Sequence, residues 1–220
     1  YRLAQKYASA SIALRRSHNG KARLALASAL LAQHQFTEAL ALTRDLVADA
    51  PDEPRYRALL AELLVEIGDY DDAKAQFDTL TPHLSSLAVA PRYARYLEFR
   101  GDTARALRML TQALLQALNE RDLPAEQTAW FGLRLADAQL RAGSLDAAWR
   151  TLGASLRRSP DDQRLWSLKA RWHAVREEWS ETIDAVQRAG DGADLQTTAL
   201  AGDAWAARGD TVRAKELWAA

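Results

Sequence analysis

One short pattern recurs six times along this chain. Each copy is a two-residue turn segment followed, three positions later, by a small residue. The copies are Gln35-Phe36 with Ala39, Asp69-Tyr70 with Ala73, Asp102-Thr103 with Ala106, Ser144-Leu145 with Ala148, Glu178-Trp179 with Thr182, and Asp210-Thr211 with Ala214. Successive small residues are 34, 33, 42, 34 and 32 positions apart. Such a period is typical of stacked supersecondary units that contact only their neighbours, rather than of one closed core.

The second copy shows most clearly why these residues occur together. Leu59, Leu60, Leu63 and Leu64 have the spacing of one helix face. Gly68 follows where a helix end favours a residue that can adopt a positive φ, and Asp69 can cap the next helix. Ala73 is predicted to lie where the two helices of a hairpin cross, so that Ala73→Phe would cost about 1–3 kcal/mol by overpacking.

The pattern resembles the tetratricopeptide repeat, a helix–turn–helix unit of about 34 residues. The resemblance rests on the turns, on the small and aromatic residues of the second helix, and on the closing prolines: Gly68-Asp69-Tyr70, Gly101-Asp102-Thr103, Gly209-Asp210-Thr211, Ala73 with Phe77, Ala214 with Trp218, Pro51 and Pro160. It implies an all-α fold, a right-handed solenoid of stacked helical hairpins that forms a single array over residues 1–220.

The repeats of this array can be assigned along the chain. Residues 1–19 are predicted to be the last helix and turn of a truncated preceding repeat, and both chain ends fall within repeats, which indicates an excised segment of something longer. The predicted repeats are 20–53, 54–86, 87–128, 129–162, 163–194 and 195–220. The interval between the third and fourth small residues is eight residues longer than the period of 34. The extra residues predict a loop at 120–124 and a long helix at 125–142, a longer hairpin rather than a domain boundary, because a linker would be richer in Gly, Ser or Pro.

Composition excludes several classes of function. The chain has 29 basic and 29 acidic residues, a balance that argues against nucleic-acid binding. It contains no Cys, which excludes disulfides and thiolate metal sites. The longest apolar run, Leu24–Ala32, is far short of the roughly 20 residues of a transmembrane helix. We therefore expect no membrane insertion of this segment.

Catalytic motifs are also missing from the sequence. It has no phosphate-binding loop, no HExxH and no GxSxG, and no two of its four histidines stand one helical turn apart. Its carboxylate pairs fall at predicted helix starts, where negative charge complements the helix dipole: Asp71-Asp72, Asp161-Asp162 and Glu177-Glu178. We predict no catalytic, cofactor or metal-binding residue, and no enzyme. The seven tryptophans are predicted to lie mainly in the core.

The resemblance also implies where a partner would bind, because in this family the first helices of successive repeats line the concave face. The residues expected there are Arg92, Arg95, Glu98, Trp130, Arg134, Asp137, Arg141 and Arg171. Since Arg binds carboxylates through two parallel hydrogen bonds, an acidic or C-terminal peptide could lie there with Trp130 as its apolar anchor. The alternative is that these arginines pair with Glu98, Asp137 and their neighbours on a solvated face.

The predicted function is therefore a non-catalytic scaffold that binds a protein or peptide, and not nucleic acid. The carboxylate clamp of some family members is not predicted, because Ser28, Glu62 and Arg95 occupy the positions of its asparagines. Alternatives are a cell-envelope or export-machinery module, the sensor half of a larger regulator, and RNA binding by a related helical-repeat family. Apolar faces at the cut repeat ends could also allow self-association.

Overall fold

The computed structural model of the protein describes residues 2–14 and 19–219, and most of these residues are helical. These residues contain no strand, and they form α1 (Arg2–Leu14), α2 (Gly20–Ala32), α3 (Phe36–Asp49), α4 (Pro54–Glu66), α5 (Tyr70–Thr79), α6 (Ala90–Phe99), α7 (Thr103–Asn119), α8 (Ala125–Arg141), α9 (Leu145–Arg158), α10 (Gln163–Val175), α11 (Trp179–Ala189), α12 (Leu195–Ala207) and α13 (Thr211–Ala219). Short 3-10 helices occupy Thr81–His83 and Gly190–Gly192. The predicted all-α fold of helical hairpins is confirmed.

The structure describes only part of the segment that was predicted to contain the first helix and its turn. A helix was expected over Tyr1–Arg16, and α1 occupies Arg2–Leu14 of that range. Tyr1, Arg16 and the expected turn residues Ser17 and His18 lie outside the described residues.

The chain divides into two compact units, residues 1–109 and 110–220, with the division inside α7. In the first unit, α2 pairs with α3 and α4 with α5, and α4 also packs against α2 and α6. In the second unit, the hairpins are α8–α9, α10–α11 and α12–α13, and α10 also packs against α8 and α12. Within each unit the first helices of successive hairpins therefore lie side by side.

Each unit has its own apolar core, built from alanine and leucine. In the first, Leu30, Leu59 and Leu63 pack with small residues of α2 and α3. In the second, Leu152 and Leu165 pack with Trp172 and with alanines of α8 and α9. Alanine is frequent in both cores because closely packed helices leave no room for larger side chains at the crossing points.

The turn inside each hairpin has the same backbone form. At the first helix end of the second repeat, Gly68 adopts φ +83°, the Gly68 N–H donates to the Val65 carbonyl and the Asp69 N–H donates to the Leu64 carbonyl. This is the hydrogen-bonding pattern of a Schellman motif, which requires a left-handed residue. The same place is taken by His34, Gly68, Gly101, Gly143, Glu177 and Gly209, all with φ between +57° and +86°. Two hairpins therefore use a residue for which this conformation is unfavourable.

A buried small residue follows the left-handed residue at a constant distance. It stands five positions later in all six hairpins: Ala39, Ala73, Ala106, Ala148, Thr182 and Ala214, none more than 2% exposed. Thr182, where the repeat pattern has alanine, places its hydroxyl in a hydrogen bond to the Glu178 carbonyl at 2.9 Å. A buried threonine is tolerated there because its polar atom is satisfied within its own helix.

The region of the extra residues has the predicted form, with one correction. Helix α7 continues to Asn119, residues 120–124 connect it to α8, and α8 runs from Ala125 to Arg141. The repeat boundary expected between 128 and 129 therefore falls inside α8. The repeat period could not locate this boundary, because the extra residues extend a helix and a loop together.

The prediction that the tryptophans lie in the core is wrong for most of them. Of the seven, all of which the structure describes, only Trp172 is buried, while Trp149 and Trp218 are 40% and 52% exposed. Several lie under basic side chains: Lys169 over Trp166, Arg188 over the same ring, and Arg213 over Trp205. An indole can cover apolar surface and still present a face to a cation, so helical spacing alone does not place it inside.

Candidate partner-binding site

In the first unit, the predicted groove arginines lie on α6 and pair with glutamates of α4. Arg92 Nε is 2.8 Å from Glu62 Oε2, and Arg95 Nε is 2.6 Å from Glu66 Oε1. Arg92 also donates through Nη1 to the Ala88 carbonyl at 2.7 Å. Each arginine thus has one carboxylate of its own, and the two ion pairs join neighbouring first helices.

Two further side chains belong to this part of α6. Glu98, also predicted to face the groove, is half-buried. The Arg95 guanidinium lies 5.2 Å from the ring centre of Phe99, which is 51% exposed. The carboxylates within 2.8 Å of Arg92 and Arg95 belong to α4, in the preceding hairpin.

In the second unit, one carboxylate serves two arginines. Asp137 on α8 accepts a short hydrogen bond from Arg141, one turn further along the same helix, and its Oδ1 is 3.1 Å from Nη1 of Arg171 on α10. The Asp137 side chain is only 14% exposed. An ion pair again joins successive first helices, and here Asp137 contacts both Arg141 and Arg171.

A pocket of about 300 Å³ lies beside Asp137 in the second unit. Its charged lining consists of three arginines and two aspartates: Arg134, Arg164, Arg171, Asp137 and Asp194. Leu133 and Leu168 add apolar surface, and Ser167 and Gly192 complete the lining. The formal charge of the lining is therefore positive, with apolar surface next to the charged groups.

Two neighbouring carboxylates are committed to local roles. Asp162 accepts from the Arg164 side chain at 2.7 Å and 3.0 Å and from its backbone N–H at 3.0 Å. Burial opposes ionisation of Asp162, but these hydrogen bonds outweigh it and lower the pKa of the carboxyl below its usual value. Asp194 caps α12 by accepting from the Thr197 N–H at 2.7 Å.

The structure brings together some of the predicted site residues and not others. Arg134, Asp137 and Arg171 line the pocket, and Arg141 reaches it through Asp137. Trp130 is not part of the lining, and its ring packs edge-on against Phe131 with a centroid distance of 5.0 Å. Asp194 and Gly192 were missed by the sequence analysis. The Gly-Asp-Gly run before α12 carries a turn signal, but nothing in it indicates proximity to α8.

A comparison with protein-family models gives a match to the tetratricopeptide repeat over residues 1–63 and 100–171, more than half of the chain. The chain belongs to the tetratricopeptide repeat family. A comparison with curated protein sequences gives no significant match. None of the described helices combines the length and the apolar character that crossing a membrane requires.

Solved structures of other repeat proteins show the same fold at low identity. The chain is similar to PilW, described as a type IV pilus biogenesis factor, with TM-score 0.70, 17% identity and 92% coverage of both chains. It is similar to IFIT1, solved with Gppp-AAAA, with TM-score 0.70, 14% identity, and coverage of 92% of this chain and 50% of that one. YrrB, described as having an unusual peptide-binding site, gives TM-score 0.50, 13% identity and coverages of 80% and 88%.

The functions named for these three proteins differ, so the likeness establishes the tetratricopeptide repeat fold alone. That fold supports protein–protein interaction scaffolds in general. The choice of partner depends on the side chains that the first helices present.

Proposed function

We propose that this protein is a non-catalytic scaffold, and that the pocket beside Asp137 binds a carboxylate of a protein or peptide partner. The observation that carries the proposal is the sharing of Asp137 by Arg141 and Arg171 within a lining of three arginines and two aspartates. A partner's carboxylate would accept hydrogen bonds from the arginines of this lining. Charge-assisted, bidentate hydrogen bonds to arginine are among the stronger polar contacts available to proteins.

The surroundings of the pocket favour a peptide over a free anion. Leu133 and Leu168 line it beside the charged groups, so an apolar side chain next to the carboxylate would be buried. A peptide that is acidic, or that ends in its C-terminal carboxylate, has both features. YrrB, which shares the fold, is described as a peptide-binding protein.

The arginines of α6 are the weaker candidates for the same role. A partner's carboxylate there would have to displace Glu62 or Glu66, each already within 2.8 Å of an arginine. The cell-envelope assembly module and the sensor domain stay alternative proposals, which a partner identified from the source organism would decide between.

The test is affinity capture from a lysate of the source organism at low and moderate salt, with bound proteins identified by mass spectrometry. Arg134→Gln combined with Arg171→Gln should reduce capture of a stoichiometric protein partner at least tenfold. The matched control, Arg92→Gln with Arg95→Gln, removes the same charge from the first unit and should reduce capture less. Unchanged capture by the Arg134/Arg171 variant, with helical circular dichroism intact, would show that the pocket is not the site.

A further inference from the structure

A second and larger groove lies in the second unit, on another side of α8. It has a volume of about 750 Å³ and runs between α7 and α9, the second helices of successive hairpins. Leucines form much of its lining: Leu114, Leu115 and Leu118 of α7, Leu123 of the following loop, and Leu135 of α8. Its size falls within the range of roughly 300–1,000 Å³ that is typical of ligand sites.

The groove is separate from the pocket beside Asp137. On α8 it is lined by Thr128, Leu135 and Gln139, which share one helix face at spacings of seven and four. Arg134 and Asp137 fall on the opposite face by the same 3.6-residue period. A ligand in one site therefore contacts a different surface of α8 from a ligand in the other.

The extra residues between the third and fourth hairpins help to form this groove. They lengthen α7 to Asn119 and add the loop at 120–124, and Leu118 and Leu123 from this segment both line the groove. On the other wall, α9 is held close to α8, because a Cβ atom on Gly132 would lie 2.1 Å from Ser155 Oγ. The irregular spacing in the sequence thus coincides with the lengthened α7 and the loop that line this groove.

Two features of the lining leave groups for a partner to satisfy. Leu115 is 56% exposed, although it stands among other leucines. The side-chain oxygen of Gln139 is buried and accepts no hydrogen bond within the part of the chain that the structure describes. An exposed leucine and a buried unsatisfied acceptor in one lining both cost free energy, and a bound segment would cover the leucine.

The charged residues of the groove are mostly arginines. Arg121, Arg150 and Arg158 line it together with one acidic residue, Glu120. All three arginines are exposed, and none forms an ion pair with a carboxylate of the described residues. Their spacing also matters: Arg150 and Arg158 stand about 12 Å apart along α9, at 1.5 Å per residue, and Arg121 lies in the opposite wall.

We propose that the groove between α7 and α9 binds an acidic amphipathic helix of a partner protein. Apolar side chains of that helix would fill the leucine-lined space, and its carboxylates would meet Arg121, Arg150 and Arg158. Basic groups on both walls and two turns apart fit a polypeptide with several carboxylates better than a small amphiphile with a single anionic head. An apolar stripe laid into a groove between two helices is a common mode of peptide recognition.

The experiment uses the whole chain and three synthetic, fluorescein-labelled peptides of 14 residues, followed by fluorescence anisotropy. The first has leucine at helical i, i+3, i+4, i+7 spacing and glutamate elsewhere. The second replaces glutamate by lysine, and the third has the composition of the first in scrambled order. We expect the first peptide to bind, and the other two to bind at least tenfold more weakly.

Variants locate the binding. Arg150→Glu with Arg158→Glu, both exposed, should weaken binding of the acidic peptide at least tenfold, as should Leu115→Glu. Arg134→Gln with Arg171→Gln should leave the part of the binding that depends on Arg150 and Arg158 unchanged, which separates this groove from the pocket of the proposed function. Absence of binding, equal binding by the Arg150/Arg158 variant, or loss of all binding in the Arg134/Arg171 variant would overturn the proposal.

Two other occupants are distinguished by the same materials. If dodecanoate binds with 1:1 stoichiometry and the acidic peptide does not, the groove takes a small amphiphile and the proposal fails. If sedimentation velocity shows a dimer that Leu115→Glu disrupts, the groove is covered by a second copy of the chain, which also overturns it.

Discussion

The two units hold the arginines of their first helices in different ways. In the first, Arg92 and Arg95 on α6 meet Glu62 and Glu66 on α4, two bases with two acids. In the second, Arg141 and Arg171 both meet Asp137. The backbone arrangement is the same in both, since each set joins the first helices of successive hairpins.

The difference shows that a repeat fold does not by itself decide where a partner binds. In one unit each arginine contacts its own carboxylate, and in the other a single carboxylate contacts two arginines. Both arrangements look alike in the sequence, because the sequence shows arginines at groove positions in each. Variants of the two units test this difference, and the largest effect is expected from removal of Asp137.

The strongest test is removal of the shared acid. Asp137→Ala should destabilise the protein by about 1–3 kcal/mol, because two arginines lose their common carboxylate. The ion pair that Asp137 forms with Arg171 is also largely buried. Glu66→Ala leaves a single arginine, Arg95, without this carboxylate and should cost less than about 1 kcal/mol. Urea unfolding of the two variants measures both values. Equal losses would mean that Asp137 is no more central to its unit than Glu66 is to the other.

A second test compares the hairpin turns, of which each unit has at least one without glycine. Glu177 in the second unit and His34 in the first adopt φ +57° and +58°. Glu177→Gly and His34→Gly should each raise stability by about 1 kcal/mol, since glycine adopts this conformation without steric cost. Thermal unfolding is the measurement.

The control for the turns is the reverse change at a glycine. Gly143→Ala and Gly68→Ala should each cost about 1–2 kcal/mol, and no neighbouring atom lies within 4 Å of the added Cβ at either position. Any loss would therefore come from the backbone alone. If Glu177→Gly proves destabilising, its side chain has a role in the second unit that the left-handed turn does not explain.

The smallest effect is expected where the two units agree. Glu53 and Asp162 each cap a first helix and accept from the backbone and side chain of the arginine two residues on, Arg55 and Arg164. The hydrogen bond from Arg55 lowers the pKa of Glu53, and the pKa of Asp162 is lowered as described above. A depressed carboxyl pKa stabilises the fold above the unfolded value, near 4, and this contribution is lost as the pH falls through the folded value.

Glu53→Gln and Asp162→Asn should therefore each destabilise the protein by about 0.5 kcal/mol at pH 7, because the half-exposed arginines are screened by solvent. The difference from the parent protein should shrink as the pH falls through the lowered folded pKa values of the two carboxyls. Urea unfolding at pH 7, 4 and 3 gives the comparison. A deficit that is independent of pH would assign the effect to the cap geometry rather than to charge.

The sequence predicted what depends on neighbouring residues along the chain. The Gly68-Asp69 turn and the small residue at Ala73 follow from the needs of one hairpin, and so could be recognised locally. The same holds for the loop at 120–124. Fold class and hairpin positions were therefore available from the pattern alone.

Features that depend on packing between hairpins could not be predicted in the same way. The pairing of Asp137 with Arg171 joins residues of different hairpins. The exposed indole of Trp149 lies 4.3 Å from the ring of Trp172, between centroids, although helical spacing indicated a core position. The groove between α7 and α9 needs three elements at once. In each case the deciding contact is distant in sequence, and periodicity carries no information about it.

The constant five-residue interval between the left-handed residue and the buried small residue fixes the rotational phase of every second helix. One residue inserted between Gly68 and Ala73 would turn the rest of α5 by about 100° and carry the alanine away from α4. The segments that join one hairpin to the next are not held in this way: α3 and α4 are joined by residues 50–53, and α5 and α6 by residues 80–89. The turn inside each hairpin is thus constant in length, whereas the helices and the joints between hairpins vary, and these joints are where foreign loops could be grafted with the least disturbance.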